Sequence, residues 1–259
     1  MIVFALIRTI FAAIVCILAT TIGAIGAVIA RLFGVEDKLG GIFDHTPRVW
    51  SRITLWASGV RVVVHNPERM SSGEPRIYMS NHLSWFDIPT LAGVLPRYKF
   101  VAKAELFKVP VFGHAIRAIG MVPLDRQNRK AAFAAYDVAV EKIHEGNSVV
   151  VFPEGMRGYD YPIRPFKKGP FVLAIAAGVP IVPVLVHGTH EVFAKGTLLV
   201  RSGQVDVHLL EPVATTGLDY SAREELAETV RSRLVDALES IYGIKSAPTR
   251  GQLQMAESD

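Results

Sequence analysis

Cysteine is nearly missing from this chain, with one residue, Cys16, in 259. A single thiol excludes an intrachain disulfide framework and any cysteine-based metal site. Net charge is also small: 28 Lys and Arg against 24 Asp and Glu leave +4, with a pI near 9.2. That balance suits an anionic membrane surface or an anionic small molecule. It is too weak to indicate nucleic acid, and no basic cluster with interleaved aromatics appears. Three signatures are absent as well: a Gly-x-Ser-x-Gly elbow, a Gly-rich phosphate loop ending in Lys-Ser/Thr, and Gly-x-Gly-x-x-Gly after a strand. A serine hydrolase of the usual α/β kind, a nucleoside triphosphatase and a nicotinamide enzyme all lose support. His187 and His190 have a spacing compatible with metal, but no carboxylate–histidine motif completes a site, so no metal is expected. There is no internal repeat.

What is present is apolar. Half of the residues are hydrophobic, enough for one sizeable domain and an appendage. Residues 9–30 contain no charge and as a helix are long enough to cross a bilayer. A cleaved signal peptide with Arg8 as its basic region competes, but its apolar centre is normally shorter, about 7–15 residues. Residues 47–60 alternate Arg48 and Arg52 with Val49, Trp50, Ile53 and Trp56. That pattern suits the headgroup boundary, or an ordinary helix packed on the domain. Arg31, Lys38, Arg48 and Arg52 follow the apolar run while Arg8 and the amino terminus precede it, which places the main domain on the cytoplasmic side. The sequence does not separate a spanning helix from one lying in a single leaflet.

From residue 60 short β-like runs alternate with helical ones. Residues 61–65, 76–80, 99–102, 121–124, 148–152, 181–187 and 205–210 read as strands. A helix over residues 128–145 carries Phe133, Tyr136, Val140 and Ile143 on one face. A later one opens with the capping box Ser221…Glu224 and carries Leu226, Val230, Leu234, Leu238 and Ile241. Pro180 and Pro183 predict that the strand holding them is an edge strand or carries them at its ends. The expectation is an α/β fold: a mostly parallel or mixed central sheet of about seven strands flanked by helices, with an N-terminal membrane-associated helical segment. Residues 1–58 form the anchor, 59–244 the α/β domain and 245–259 a polar, disordered tail.

Three stretches carry groups suited to chemistry. In Asn81-His82-Leu83-Ser84-Trp85-Phe86-Asp87 the His and Asp lie five residues apart, about 140° apart on a helix, so they meet only at a corner. With His82 leaving a strand and Asp87 on the first turn of the next helix, the carboxylate holds one imidazole tautomer and leaves the other nitrogen free for a proton. The structural alternative is a helix cap, since Ser84…Asp87 has capping-box spacing. The second stretch runs from Lys103 to Asp125-Arg126; a lysine just past a strand also snorkels to solvent without function. The third, residues 149–158, breaks from an apolar strand into Pro153-Glu154-Gly155-Met156-Arg157. It delivers a carboxylate and a guanidinium to the sheet edge where open α/β folds bind ligands. Arginine's planar fork suits phosphate; the structural alternative is that Glu154 and Arg157 pair with each other or stiffen a loop. Arg164, Lys167 and Lys168 add charge nearby or belong to a solvated loop.

Together with Val179-Pro180-Ile181-Val182-Pro183-Val184, these stretches resemble the four ordered sequence blocks of the glycerolipid acyltransferase family, specifically its 1-acylglycerol-3-phosphate acyltransferases. The likeness covers about residues 60–210. Met156 stands where threonine is usual and Gly158 where serine is usual, two departures at the stretch that the resemblance ties to acceptor recognition. The resemblance implies that His82 is the general base and Asp87 its orienting partner. It further implies that Lys103 and Arg157 hold the acceptor phosphate, that Glu154 and Gly155 shape that pocket, and that Arg126 is a further candidate. No metal or bound cofactor is implied. The acyl donor is a thioester of acyl carrier protein or coenzyme A, the acceptor is lysophosphatidic acid among membrane lipids, and the product is phosphatidic acid. The expected location is the inner membrane, with the catalytic domain facing the cytoplasm. Alternatives are a different acceptor, such as a lyso-ornithine lipid or lysophospholipid, a non-catalytic anionic-lipid-binding protein, and a thioester hydrolase.

Overall fold

The computed structural model describes residues 2–70 and 73–248. The apolar runs assemble into one sheet in the order β1 (Val60–His65), β7 (Gly203–Leu209), β6 (Ile181–His187), β2 (Ile77–Ser80), β5 (Ser148–Val151), β3 (Tyr98–Lys103) and β4 (Val122–Leu124). Every pairing is parallel except β6 with β7. The expected mixed seven-stranded sheet is therefore present. Strand periodicity of two sends Ile77, Met79, Val149 and Val151 to one face. There they meet α5 (Arg129–His144), α6 (Gly169–Ala177) and α8 (Arg223–Tyr242). Tyr78, Val150, Val182 and Val184 point to the other face, against Leu55 of α2 (Ile42–Ala57) and Leu91 of α3 (Asp87–Val94). Helices on both faces explain why the central strands are uninterrupted apolar runs rather than alternating ones.

Four local expectations need correction. β6 is an interior strand despite Pro183. The Pro183 carbonyl accepts from Leu210 N–H at 2.9 Å, just past the end of β7. The missing proline donor thus falls where the antiparallel ladder is already ending, and one bond is lost rather than a register. α2 begins at Ile42, so Pro47 sits in its second turn instead of opening it. On α5 the buried ridge is Ala135, Ala139 and Ile143, while Phe133 is exposed. Small side chains let this helix approach the sheet closely. The Ser221…Glu224 box does not form: Asp219 accepts from Ser221 N–H at 2.8 Å and α8 starts at Arg223. Ile241, at the end of its stripe, is exposed.

α1 (Ile2–Leu32) is long and apolar enough to cross a membrane. It is bonded to the rest of the chain along much of its length. Thr9 Oγ1 accepts from Val200 N–H at 2.8 Å, Thr20 Oγ1 from Trp50 Nε1 at 2.9 Å, and Arg31 Nε donates to the Ala118 carbonyl of α4 (Phe112–Ala118) at 2.9 Å. At the other terminus, residues 249–259 of the expected disordered tail lie outside the described residues. The preceding residues are tied down: Ser246 Oγ accepts from Ile163 N–H at 2.8 Å and the Ala247 carbonyl from Arg231 at 2.9 Å.

Candidate active site

β2 ends at Ser80, and Asn81 continues its pairing with a side chain in place of backbone, donating to the Val186 carbonyl at 2.9 Å and accepting its N–H at 2.8 Å. That fixes the point at which the chain turns away from the sheet. Asp87, the first residue of α3, folds back over the turn. Its Oδ2 faces His82 Nδ1 at 2.7 Å, Leu83 N–H at 2.8 Å and Ser84 N–H at 2.9 Å, and its Oδ1 accepts from Thr189 Oγ1 at 2.5 Å. Half of the capping box exists, because Asp87 reaches back to the Ser84 amide, whereas Ser84 Oγ accepts from Phe86 N–H. A carboxylate only accepts, so Nδ1 carries the hydrogen and Nε2 is the nitrogen left for a substrate. The ring lies flat on Phe152, centroids 4.0 Å apart, and its side chain is 15% exposed; that of Asp87 is 1% exposed. His82 and Asp87 therefore meet at the strand-to-helix corner, as their spacing requires.

β5 breaks into the second corner beside the first. Glu154 is buried; its Oε1 accepts from His82 N–H at 2.9 Å and its Oε2 pairs with Arg164 Nε at 2.8 Å. The alternative pairing with Arg157 is thereby excluded, and Arg164 is a bonded member of the site rather than a solvated loop residue. The loop 155–157 is held by its carbonyls: Arg126 donates to Gly155, Arg164 to Met156, and Lys195 to Arg157. The Arg157 guanidinium lies over the Trp85 ring, 4.9 Å from its centroid, a contact of the cation–π kind. Gly155 has φ of 82°, a turn that a side chain strains. Gly158 has a packing reason for departing from serine, since an added Cβ lies 3.0 Å from Leu83 Cδ2 and 3.2 Å from the Asp160 carbonyl.

One cavity of about 1370 Å³ joins these corners. His82, Lys103, Arg126, Glu154, Gly155 and Arg157 all line it, with Asp87 behind His82. Lys103 Nζ, on the rim, is 3.1 Å from Glu105. The Glu105 carboxyl is held below its usual range by its own backbone N–H and then by Lys103. Phe100, Met121, Ile116 and Ile119, with Gly23 and Ala24 of α1, give the same cavity an apolar lining. Among the described residues no group of three or more His, Cys, Asp or Glu is arranged to hold a metal. Sequence reasoning missed Thr189, Lys195 and the bracing role of Arg164. Thr189, which opens the short helix α7 (Thr189–Val192), and Lys195, just beyond it, have no local signal, because their partners lie far along the chain.

A sequence profile described as Acyltransferase matches residues 61–187. The chloroplastic 1-acyl-sn-glycerol-3-phosphate acyltransferase BAT2 of Brassica napus is 33% identical over 75% of this chain and 58% of its own. The 1-acyl-sn-glycerol-3-phosphate acyltransferase of Saccharomyces cerevisiae is 32% identical over 85% of this chain and 72% of its own. The chain belongs to the acyltransferase family. Among solved structures, the 1-acyl-sn-glycerophosphate (LPA) acyltransferase of Thermotoga maritima superposes with a TM-score of 0.79 at 28% identity, covering 95% of this chain and 99% of that one. The chain thus shares the fold of that protein over nearly its whole length, while spanning 58% of the length of the Brassica relative.

Proposed function

We propose that this acyltransferase moves a fatty acyl chain from a thioester to the 2-hydroxyl of 1-acylglycerol 3-phosphate, giving phosphatidic acid. The observation that carries the reading is the 2.7 Å His82–Asp87 contact in a cavity that also contains the Arg157 guanidinium. The names of the relatives supply the substrate class. A thioester is already activated, so the missing ingredient is a deprotonated alcohol, which His82 Nε2 provides by taking the 2-hydroxyl proton. The alkoxide oxygen bonds to the acyl carbon, the C–S bond breaks, and the proton passes from imidazolium to the departing thiolate. Asp87 stabilises the imidazolium throughout, and no covalent acyl-enzyme is required. Arg157 and Lys103, with Arg126 beside them, hold the phosphate; Glu154 and Gly155 shape the loop. Fixing the phosphate brings the hydroxyl to His82 at a reduced entropic cost. The apolar lining of the cavity suits a fatty chain. The donor is an acyl carrier protein or coenzyme A thioester, and no bound cofactor takes part.

The same reading places the protein on the inner membrane with its catalytic domain facing the cytoplasm. The bonds from Thr9 to Arg31 that lay α1 against the domain favour a helix lying within one leaflet over one that leaves the domain behind. The test is purified protein in detergent with labelled lysophosphatidic acid and each donor in turn, with lyso-ornithine lipid and other lysophospholipids as parallel acceptors. His82→Ala is expected to lower kcat by about 10²- to 10⁴-fold. Arg157→Ala is expected to raise the acceptor KM by roughly 10- to 100-fold with a smaller change in kcat. Near-normal turnover by His82→Ala ends the proposal; preference for another lysolipid moves it to that acceptor.

A further inference from the structure

The segment that follows β6 is anchored at Gly188, whose φ is 98° and where an added Cβ falls 2.3 Å from the Gln204 carbonyl. Only glycine lets the chain leave the sheet there. From that fixed origin, residues 189–195 touch both halves of the site. Thr189, fully buried, gives its hydroxyl to Asp87 Oδ1. The Phe193 carbonyl accepts from Ser84 Oγ at 2.7 Å, on the same corner as His82. Lys195 Nζ donates to the Arg157 carbonyl at 3.0 Å and lies 3.8 Å from the Tyr159 ring centroid. Among the described residues Lys195 forms no ion pair. Lys195 lines the same cavity as Arg157. The segment begins beyond residue 187, where the family profile ends.

We propose that residues 189–195 act as a gauge that sets the spacing between His82 and Arg157, with Lys195 as the positioning residue for the phosphate end. The inference rests on the transfer reaction proposed above. A glycerol phosphate has a fixed reach from its phosphorus to its 2-hydroxyl, and a misplacement of about 1 Å costs on the order of 100-fold in rate. Arg157 is located at two points, its guanidinium on Trp85 and its carbonyl on Lys195. The chain that carries Lys195 also carries the hydroxyl that fixes Asp87. The two ends of the acceptor are therefore referred to one short covalent path.

The experiment compares wild type with Lys195→Met, Lys195→Arg, Thr189→Val and their Met/Val double variant, in detergent with lysophosphatidic acid and a fixed acyl donor. Lys195→Met is expected to raise the acceptor KM about tenfold while kcat and the donor KM stay within about twofold, and Lys195→Arg is expected to recover most of the loss. Thr189→Val is expected to lower kcat with little change in KM. In the double variant the two losses are expected not to multiply, because both sites lie on one unit. An unchanged acceptor KM in Lys195→Met, a defect falling on the donor, or strictly multiplicative losses overturns the gauge. If Lys195→Met fails to fold, Lys195→Gln takes its place under the same criteria. Wild type without any transfer sinks the proposed reaction instead. The gauge is then read by tryptophan fluorescence on titration with lysophosphatidic acid, where binding about tenfold weaker in Lys195→Met supports it and equal binding overturns it.

Discussion

His82 owes its orientation to a carboxylate surrounded by hydrogen-bond donors, with two amides and the imidazole on one oxygen and the Thr189 hydroxyl on the other. Asp87→Asn can keep this geometry, since a carboxamide oxygen replaces Oδ2 and the threonine hydroxyl is able to reverse and accept. What it removes is the negative charge facing the imidazolium. The variant is therefore expected to fold normally and to lose about 10²- to 10⁴-fold in kcat with little change in acceptor KM; a loss confined to KM contradicts the assigned role. A second residue-scale prediction concerns His208, stacked on His65 at 4.1 Å and bonded to Tyr242 at 2.7 Å. Burial, then His65, pushes its pKa down to about 4 against the opposing pull of Asp206; His187 adds a smaller push in the same direction. The unfolded chain then binds the proton that the folded one refuses between pH 6.5 and about 4, so stability is full above that window and declines as pH falls through it. Burial raises the Asp206 pKa, but its bonds to His65 and Gln204 together outweigh burial and hold it below the ordinary value, so its contribution is lost as pH falls from the normal aspartate value through the lowered one. Melting temperatures measured across the window are expected to fall more steeply for wild type than for His208→Asn, and equal slopes contradict the assignment.

Elements that rest on local pattern were legible, and those that rest on distant partners were not. The His82–Asp87 corner could be read because its members are five residues apart, as could strands whose β-branched runs had covered faces on both sides. Thr189 meets Asp87 across 102 residues and Lys195 meets Arg157 across 38; neither contact leaves a mark in the nearby sequence. Pro183 misled because the rule for prolines concerns a missing donor, and the ladder was already ending on that side. The connection between α1 and α2 gives the clearest case of a hidden element-scale contact. Lys99, on β3 and fully buried, sends Nζ to Asp37 Oδ2 and to the Ile119 carbonyl, each at 2.8 Å. Burial lowers its pKa and the Asp37 partner opposes that shift. Asp37 belongs to the connecting loop, so one ion pair fastens the helical hairpin to the sheet. Lys99→Met leaves that carboxylate without its main partner and is expected to destabilise the protein by about 3–5 kcal/mol. Lys99→Met combined with Asp37→Leu is expected to recover most of this. Denaturant unfolding of the three proteins checks it; a single variant as stable as wild type contradicts the latch.

At the scale of the molecule, the polar chemistry sits at one edge of the sheet while α1 displays a long apolar surface, with Ile7, Ile14, Leu18, Ile22, Ile25 and Ile29 all exposed. A patch of that extent is unusual for a protein surrounded by water and calls for a partner. The same helix lines the cavity through Ala19, Thr20, Gly23 and Ala24. It therefore presents one side to the exterior and another to the space beside His82. In the proposed reaction, a lipid acceptor held near the membrane boundary then has a short path to His82 and need not cross water. Replacing Ile14 and Leu18 with lysine removes two apolar side chains, each contributing about 1.5–3 kcal/mol when fully buried, from a surface that the fold leaves more than half exposed. The double variant is expected to keep the wild-type melting profile in detergent and its activity on acceptor dispersed in micelles. Its association with phospholipid vesicles is expected to fall at least about tenfold, and its turnover on acceptor embedded in those vesicles to fall in parallel. Flotation and transfer assays on the same vesicles check both. Undiminished flotation means that α1 is not the membrane-facing surface. Lost flotation with unchanged turnover separates anchoring from substrate delivery and removes the proposed path.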